Sequence, residues 1–386
     1  MPPAWRYIGE VRGKKLEVRS EMIVIADDIT GAAEIAGIAF VAGEDVRLVC
    51  GGDTATSGTT VIATDTRSMT EDEAIAETRR ITSHLSPLTS HPSPLTPHLF
   101  KKTDSALRGH VVAELKTLME TMGYQRAVYL PANPAKGRII KDGVYYINGT
   151  PIDQTDFSFD PEFPAKTAIL KERFPDAEAN GIVMPDAESK EDIQKVIATY
   201  DDGHTLFAGA ADLFEAVLAK YSKAAKTSRT SSVSSPSLPS FVSTLFLCGS
   251  TQSKPLDLGM PVTAMPRDIY DGCKDITSWL EEASAIYRRE GSLMITIPHR
   301  HRTGKEVAVH LRETTAILLQ RLVAIQQPRQ LVIEGGASAF ATLQRLGWNE
   351  LEVVSQLAPG VIKTKAPNGT FVIMKPGSYS WGFISQ

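Results

Sequence analysis

Short apolar runs recur along the whole chain, each ending in a polar turn and followed by a stretch with helical spacing. In the first half they read MIVIA, DVRLVC, TVIATD, LFKKTD and RAVYLPA; in the second, TLFLCG, LMITIP, LVIEGG and FVIMK. Apolar runs this short, bounded by turn residues, predict buried strands. Their alternation with helical segments predicts parallel sheets joined by crossover helices. The expected fold is α/β with two domains, each a largely parallel sheet flanked by helices, and a substrate cleft between them. Ligands in such folds bind beyond the carboxyl ends of the strands, so the residues just after each run matter most.

Two helical stretches are well marked. After MIVIA, Ala32, Ile35, Ala36 and Ala39 share one helix face, with Thr30 as the expected N-cap. After LFKKTD, Val111, Val112, Leu115, Leu118, Met119 and Met122 do the same. Three segments break the pattern. Residues 1–20 read as an N-terminal extension, and 82–98 (TSHLSPLTSHPSPLTPH) as a surface insertion with neither helical nor strand period. The Ser- and Pro-rich residues 222–243 read as a linker, which divides the chain into domains at 21–221 and 244–386.

Composition narrows the partner. The 386 residues are 42% hydrophobic with a net charge of −4, so sizeable cores can form and no basic field invites nucleic acid or a membrane surface. Cys50, Cys248 and Cys273 are too far apart for a disulfide framework or a CxxC metal site. No apolar run approaches the roughly 20 residues of a membrane helix, and the N-terminus lacks the core of a signal peptide. A cytoplasmic protein acting on a small molecule is expected.

The strand ends carry the candidate chemistry. VIADDITGAAEIAG sets Asp27 and Asp28 side by side where strand gives way to helix. One of them can cap the helix, worth about 1 kcal/mol. Two adjacent carboxylates repel unless a cation, hydroxyl or backbone donor satisfies them, so the pair points to a site. KKTDSALRGHVVAEL repeats the layout, with Arg108 where the helix starts and an anion is favoured; an Arg merely paired with Asp104 is the alternative. Asp65 and Arg67 follow TVIA, where a capping Asp and a solvated Arg are the ordinary reading. In YLPANPAKGR a rigid loop projects Arg138, and Asn148-Gly149 predicts a hairpin turn.

The second half is richer in glycine. Gly335 and Gly336 would let backbone approach a phosphate at a helix N-terminus, and Gly249, Ser250 and Thr251 offer small donors after another strand. Gly360, Lys375 and Gly377 add to the set. These residues suit a nucleotide without demanding one, because the Walker sequence and the GxGxxG fingerprint are both absent. IPHRHRTGKE (297–306) lacks the ligands for zinc and reads as a solvated basic loop.

With IADDITGA, TDTRS, KKTDSALRG and PANPAKGR in the first half, and CGS, EGGASA, APGV and KPG in the second, the sequence resembles the four-carbon acid sugar kinase family from Met22 to about Gly382. The resemblance implies an enzyme that phosphorylates a sugar acid such as threonate, erythronate or 3-oxo-tetronate, using ATP and Mg2+. The first domain would hold the sugar acid and the second the nucleotide. Asp27 and Asp28 would meet substrate hydroxyls and Arg108 the carboxylate, with Asp65, Arg67, Lys102, Asp104, Ser105 and Arg138 completing the pocket. Asp28 is the favoured general base and Asp104 its rival. The nucleotide side would comprise Gly249, Ser250, Thr251, Gly335, Gly336, Ala337, Gly360, Lys375 and Gly377, with no residue assigned to a metal. A homodimer is allowed for. Ala337 and Ser338 stand where the family usually has an acid and a Thr, which keeps open a second reading, a catalytically weak sensor of a sugar acid or nucleotide. NAD-dependent oxidoreduction, a third, lacks its fingerprint.

Overall fold

The computed structural model describes residues 22–51, 58–89, 98–160, 162–222, 243–249, 257–298 and 304–377. The first half contains β1 (Met22–Ala26), β2 (Val46–Cys50), β3 (Thr59–Ala63), β4 (His98–Lys102), β5 (Arg126–Leu130), β6 (Arg138–Lys141), β7 (Val144–Ile147), β8 (Thr150–Pro151), β9 (Ile182–Val183) and β10 (Thr205–Gly209). Its helices are α1 (Ile29–Val41), α2 (Glu71–Thr89), α3 (Val111–Met122), α4 (Leu170–Arg173), α5 (Lys190–Tyr200) and α6 (Ala211–Tyr221). The second half supplies β11 (Thr244–Cys248), β12 (Val262–Ala264), β13 (Leu293–Thr296), β14 (Gln330–Glu334), β15 (Glu350–Ala358), β16 (Val361–Lys365) and β17 (Phe371–Lys375), with α7 (Arg267–Tyr270), α8 (Thr277–Glu290), α9 (Lys305–Ile325) and α10 (Gly336–Leu346).

In the first half the order β9-β5-β10-β4-β1-β3-β2 is parallel throughout. β1, β3, β10 and β14 are buried at every position, as strands covered on both faces must be. In the second half β12-β13-β11-β14-β17 run parallel, and antiparallel β16 and β15 extend them. The two sheets are not separate. β15 pairs antiparallel with β2, Leu351 opposite Leu48, so one fourteen-stranded sheet runs through both halves. The alternation Leu351 and Val353 inward, Glu352 outward, is the period-2 pattern of an antiparallel strand.

Three sequence expectations need correction here. The N-cap of α1 is Asp28, not Thr30: the Asp28 side chain accepts from the Gly31 N–H, and the Thr30 hydroxyl donates to Asp28 instead. A carboxylate satisfies an end donor and interacts with the dipole, which a hydroxyl does less well. Residues 82–89 of the expected insertion are the last turns of α2; Ala74, Thr78, Ile81 and Leu85 bury a helical stripe that continues into the Ser/Thr-rich stretch, and 90–97 lie outside the described residues. Arg138 opens β6, in a small β6-β7-β8 sheet, rather than standing in a loop; the Asn148-Gly149 turn joins β7 to β8 as expected. The extension at 1–20 and linker residues 223–242 lie outside the described residues, as do 299–303 of the basic stretch.

The expected helix faces are as read: Ala32, Ile35, Ala36 and Ala39 of α1 are fully buried, and Val111, Leu115, Leu118 and Met119 of α3 are buried. The chain order places β1 between β3 and β4, reached by crossovers in opposite directions. That is the switch point at which a crevice opens beyond the strand ends.

Candidate active site

Asp27, which follows β1, is bound by both arms of Arg67: Nε to Oδ2 at 3.0 Å and Nη2 to Oδ1 at 2.9 Å. The same guanidinium reaches Asp28 at 3.1 Å on each oxygen and Asp104, beyond β4, at 3.7 Å. Asp104 in turn takes Arg108 in a fork, Nε to Oδ2 at 2.7 Å and Nη2 to Oδ1 at 3.1 Å. Three acids at the ends of two neighbouring strands therefore surround two arginines. This answers how Asp27 and Asp28 tolerate adjacency: Arg67, one cap and one hydroxyl satisfy them. Arg67 is thus a keystone, not the solvated Arg of the ordinary reading. Removing one partner from such a buried network typically costs about 3–5 kcal/mol.

The environments push the acids apart. Burial raises Asp27 above the ordinary carboxylate range, against the pull of Arg67. Burial would raise Asp28 too, but Arg67, the Thr30 hydroxyl, Lys102 and the Gly31 N–H outweigh it and lower the group. Asp104 is also buried, yet Arg67 and Arg108 hold it far below the usual range. Asp65, which follows β3 with left-handed backbone (φ 58°), is pushed up to about 6 by burial, opposed chiefly by Arg312 of α9.

Arg108 lies three residues before α3 and is paired with Asp104, the alternative weighed for it, while its side chain stays 31% exposed. Its guanidinium and that of Arg138 both approach the Phe157 ring, at 5.8 and 5.7 Å from the centroid. Arg138 also donates to the Ser105 hydroxyl, and the Tyr145 hydroxyl holds the Ser105 carbonyl at 2.5 Å. Lys102 is buried, donates to the Thr103 carbonyl at 2.9 Å and lies 3.6 Å from Glu34, to which Lys136 also bonds. The first-half candidates thus form one cluster, with Asp65 at its edge.

The second-half candidates occupy adjacent strand ends. The Gly249 N–H bonds the Glu334 carbonyl at 3.1 Å, and the Gly335 N–H bonds the Lys375 carbonyl at 2.9 Å. Gly335 takes φ 101°, which suits glycine alone, and a Cβ on Gly336 would sit 2.5 Å from the Thr30 methyl. The N-termini of α10 and α1 therefore abut. Gly360 lines the same small gap as Gly335, Gly336 and Lys375. Lys375 does not offer an open charge: it is buried and 2.8 Å from Glu334. Ala337 lines a cavity of about 320 Å3 facing Asp65. Ser250 and Thr251 lie outside the described residues, and Gly377 is the last described. Among the described residues no group of three His, Cys, Asp or Glu could hold a metal ion by itself, and no helix is long and apolar enough to cross a membrane.

Several partners escaped the sequence reading. Glu34 stands in an otherwise apolar helix, Glu114 on the buried stripe of α3, and Lys101 within a buried strand; Lys101 and Glu114 pair at 2.6 Å, and Thr66 bonds Glu114 at 2.7 Å. A charge at an apolar-period position was the available signal. Phe157, Arg312 and Glu334 gave none.

Two family models match the chain in tandem: a sugar-binding N-terminal domain over residues 22–176 and a nucleotide-binding C-terminal domain over 258–379. The chain thus belongs to the proteins that join a sugar-binding N-terminal domain to a nucleotide-binding C-terminal domain. It is 28% identical over 229 residues to a D-threonate kinase of Salmonella typhimurium, covering 51% of this chain and 53% of that protein. It is 32% identical over 151 residues to a 3-oxo-tetronate kinase of Brucella melitensis, covering 36% of this chain and 33% of that one. The alignments thus span about half, or less, of those relatives' lengths. A solved structure from Salmonella typhimurium, under a provisional tRNA synthase name, shares the fold with a TM-score of 0.73 at 17% identity, covering 94% of this chain and 98% of that one.

Proposed function

We propose that the chain is an ATP-dependent kinase that phosphorylates a hydroxyl of a four-carbon sugar acid, holding the acid in the first half (21–221) and the nucleotide in the second (244–386). One observation carries this reading. Thr30 gives its hydroxyl to Asp28 and its methyl to Gly336, so a carboxylate able to meet a hydroxyl and a backbone able to meet a phosphate flank one residue. Phosphoryl transfer asks mainly for alignment and charge stabilisation, which this junction provides.

Arg108 and Arg138, gathered on Phe157, suit the substrate carboxylate. The general base must be reachable and unprotonated. Asp27 is only 2% exposed, and Asp104, 10% exposed, is committed to Arg108 in a fork. Asp28 is 17% exposed and held ionised, which favours it as the base and makes Asp104 the residue that positions Arg108. Lys102 and Ser105 brace the pocket through Glu34 and Arg138. Mg2+, when bound, would neutralise phosphate charge; it commonly arrives with the triphosphate and needs only one or two carboxylates, so the absence of a three-acid cage among the described residues is compatible with it.

The test is magnesium-dependent ADP release over a panel of threonate, erythronate and 3-oxo-tetronate, with Asp28→Ala and Arg108→Ala alongside. Turnover with one acid, lost in both variants, supports the reading. A folded protein that no acid turns over, yet that melts at a higher temperature with one, would replace it by the sensor reading that Ala337 keeps open.

A further inference from the structure

The arginines of the first-half site are engaged: Arg67 and Arg108 each make short forks to carboxylates, and Arg138 bonds Ser105. Arg312, on α9 of the second half, differs. Its Nη1 stands 4.0 Å from Asp65 Oδ2 and its Nε 3.8 Å from Glu313 Oε1, both beyond hydrogen-bond reach. Its Nε is buried without a hydrogen-bond partner, although the side chain as a whole is 25% exposed. Arg345, on the same cavity, is by contrast 2.6 Å from Glu313. A guanidinium held near two acids but bonded to neither keeps donors available for an incoming anion.

Its position says which anion. The 320 Å3 cavity that Arg312 lines has Asp65 on the first-half side and Ala337 on the second. Ala337 directly follows the Gly335-Gly336 turn at the head of α10, and the charge of Asp28 bears on Asp65. Arg312 therefore shares a cavity with Asp65 of the first half and with Ala337, the residue next to the backbone favoured for phosphate. We propose that Arg312 is a catalytic residue donated across the junction, whose guanidinium receives the phosphoryl group in transit. Asp65 holds it in waiting. This rests on the kinase reading. In the step, the substrate oxygen forms a bond to the terminal phosphorus as the bridging oxygen–phosphorus bond of ATP breaks. The hydroxyl proton passes to Asp28 and the electron pair of the broken bond leaves with ADP. Arg312 exchanges no proton; it neutralises charge on the equatorial oxygens.

The experiment measures calorimetric binding of ADP with Mg2+, with and without aluminium fluoride as the phosphoryl mimic, by wild type, Arg312→Ala, Arg312→Lys and Arg345→Ala. Arg312→Ala should keep ADP affinity within about threefold but lose roughly tenfold or more of the tightening brought by aluminium fluoride, and kcat should fall by about 10³ with KM for ATP little changed. Arg312→Lys, which preserves charge and fold, should lose most of the tightening because the planar fork is gone. Arg345→Ala should bind as wild type does. Undiminished fluoroaluminate binding by Arg312→Ala or Arg312→Lys would overturn the role of Arg312 alone. A wild type that binds no ADP would remove the kinase reading and this role with it.

Discussion

At the ends of β1, β3 and β4 the first half presents Asp27, Asp28, Arg67, Asp104 and Arg108, charged side chains that satisfy one another, with Asp65 at their edge. At the ends of β11, β14 and β17 the second half presents Gly249, Gly335 and Gly336, and the charge pair at these ends, Glu334–Lys375, is sealed in the core. The same sheet architecture thus ends in side-chain chemistry on one side and in backbone on the other. Side chains can match the hydroxyls and carboxylate of one small molecule in detail. A helix head such as that of α10 suits a phosphate chain, whose recognition is general. The contrast predicts that substitutions at the first-half strand ends change chemistry and substrate choice, while those at the second-half strand ends change nucleotide affinity, with Arg312 of α9 standing apart from both.

The largest expected break is Arg67→Ala. It leaves Asp27 and Asp28 without their common partner, so a loss of about 3–5 kcal/mol in denaturant unfolding and no detectable turnover are expected. A variant as stable as wild type would mean that the acids find other partners. Asp28→Asn is the sharper probe. Asparagine caps a helix about as well as aspartate, and Arg67 keeps Asp27 and Asp104, so the stability loss should be smaller than that of Arg67→Ala while kcat falls by roughly 10²–10⁴. In the second half, Gly336→Ala forces a methyl against Thr30, and a destabilisation of about 1–3 kcal/mol with a raised KM for ATP but unchanged KM for the sugar acid is expected. If KM for the acid moved instead, the division of labour between the halves would be wrong.

The smallest effect concerns Asp65. Its pKa is raised to about 6 against an ordinary value near 3.9, so the native state binds that proton more tightly than the unfolded chain. The corresponding stability is fully present below about pH 4 and is lost as pH rises through 6. Asp65→Asn should therefore flatten the fall in unfolding free energy between pH 4 and 7, by on the order of 1–3 kcal/mol, measured as urea midpoints across that range. Parallel pH profiles for the two proteins would rule the linkage out.

How much of this could be read from the chain follows a physical line. The strands MIVIA and LVIE and the helix faces of α1 and α3 were legible because burial imposes period and length. The first-half candidates were legible because they stand in strand-end loops, close to one another in sequence. What stayed hidden depends on long-range contact. Phe157 meets Arg108 only after the chain returns, Arg312 reaches Asp65 from the other half, and the Lys375 charge is answered by Glu334 on a neighbouring strand. The 82–89 turns of α2 do not read as helix in the sequence because Ser and Thr outweigh a sparse apolar stripe. β15 was missed although Glu350, Leu351, Glu352 and Val353 alternate cleanly, because its partner β2 lies some 300 residues away.

That pairing also sets a timetable for the nascent chain. β2 is the outer strand of the first-half sheet, and every other strand of that sheet has been made once Gly209 is synthesised. Its neighbour arrives only with Glu350–Glu352. At ribosomal rates of about 5–20 residues per second, the open edge waits on the order of ten seconds or more. Unpaired edges are templates for association, and the half-exposed Arg47, the second residue of β2, is the kind of charge that discourages it. Replacing Arg47 by an apolar residue would leave the finished protein nearly unchanged and the ribosome-bound intermediate far stickier.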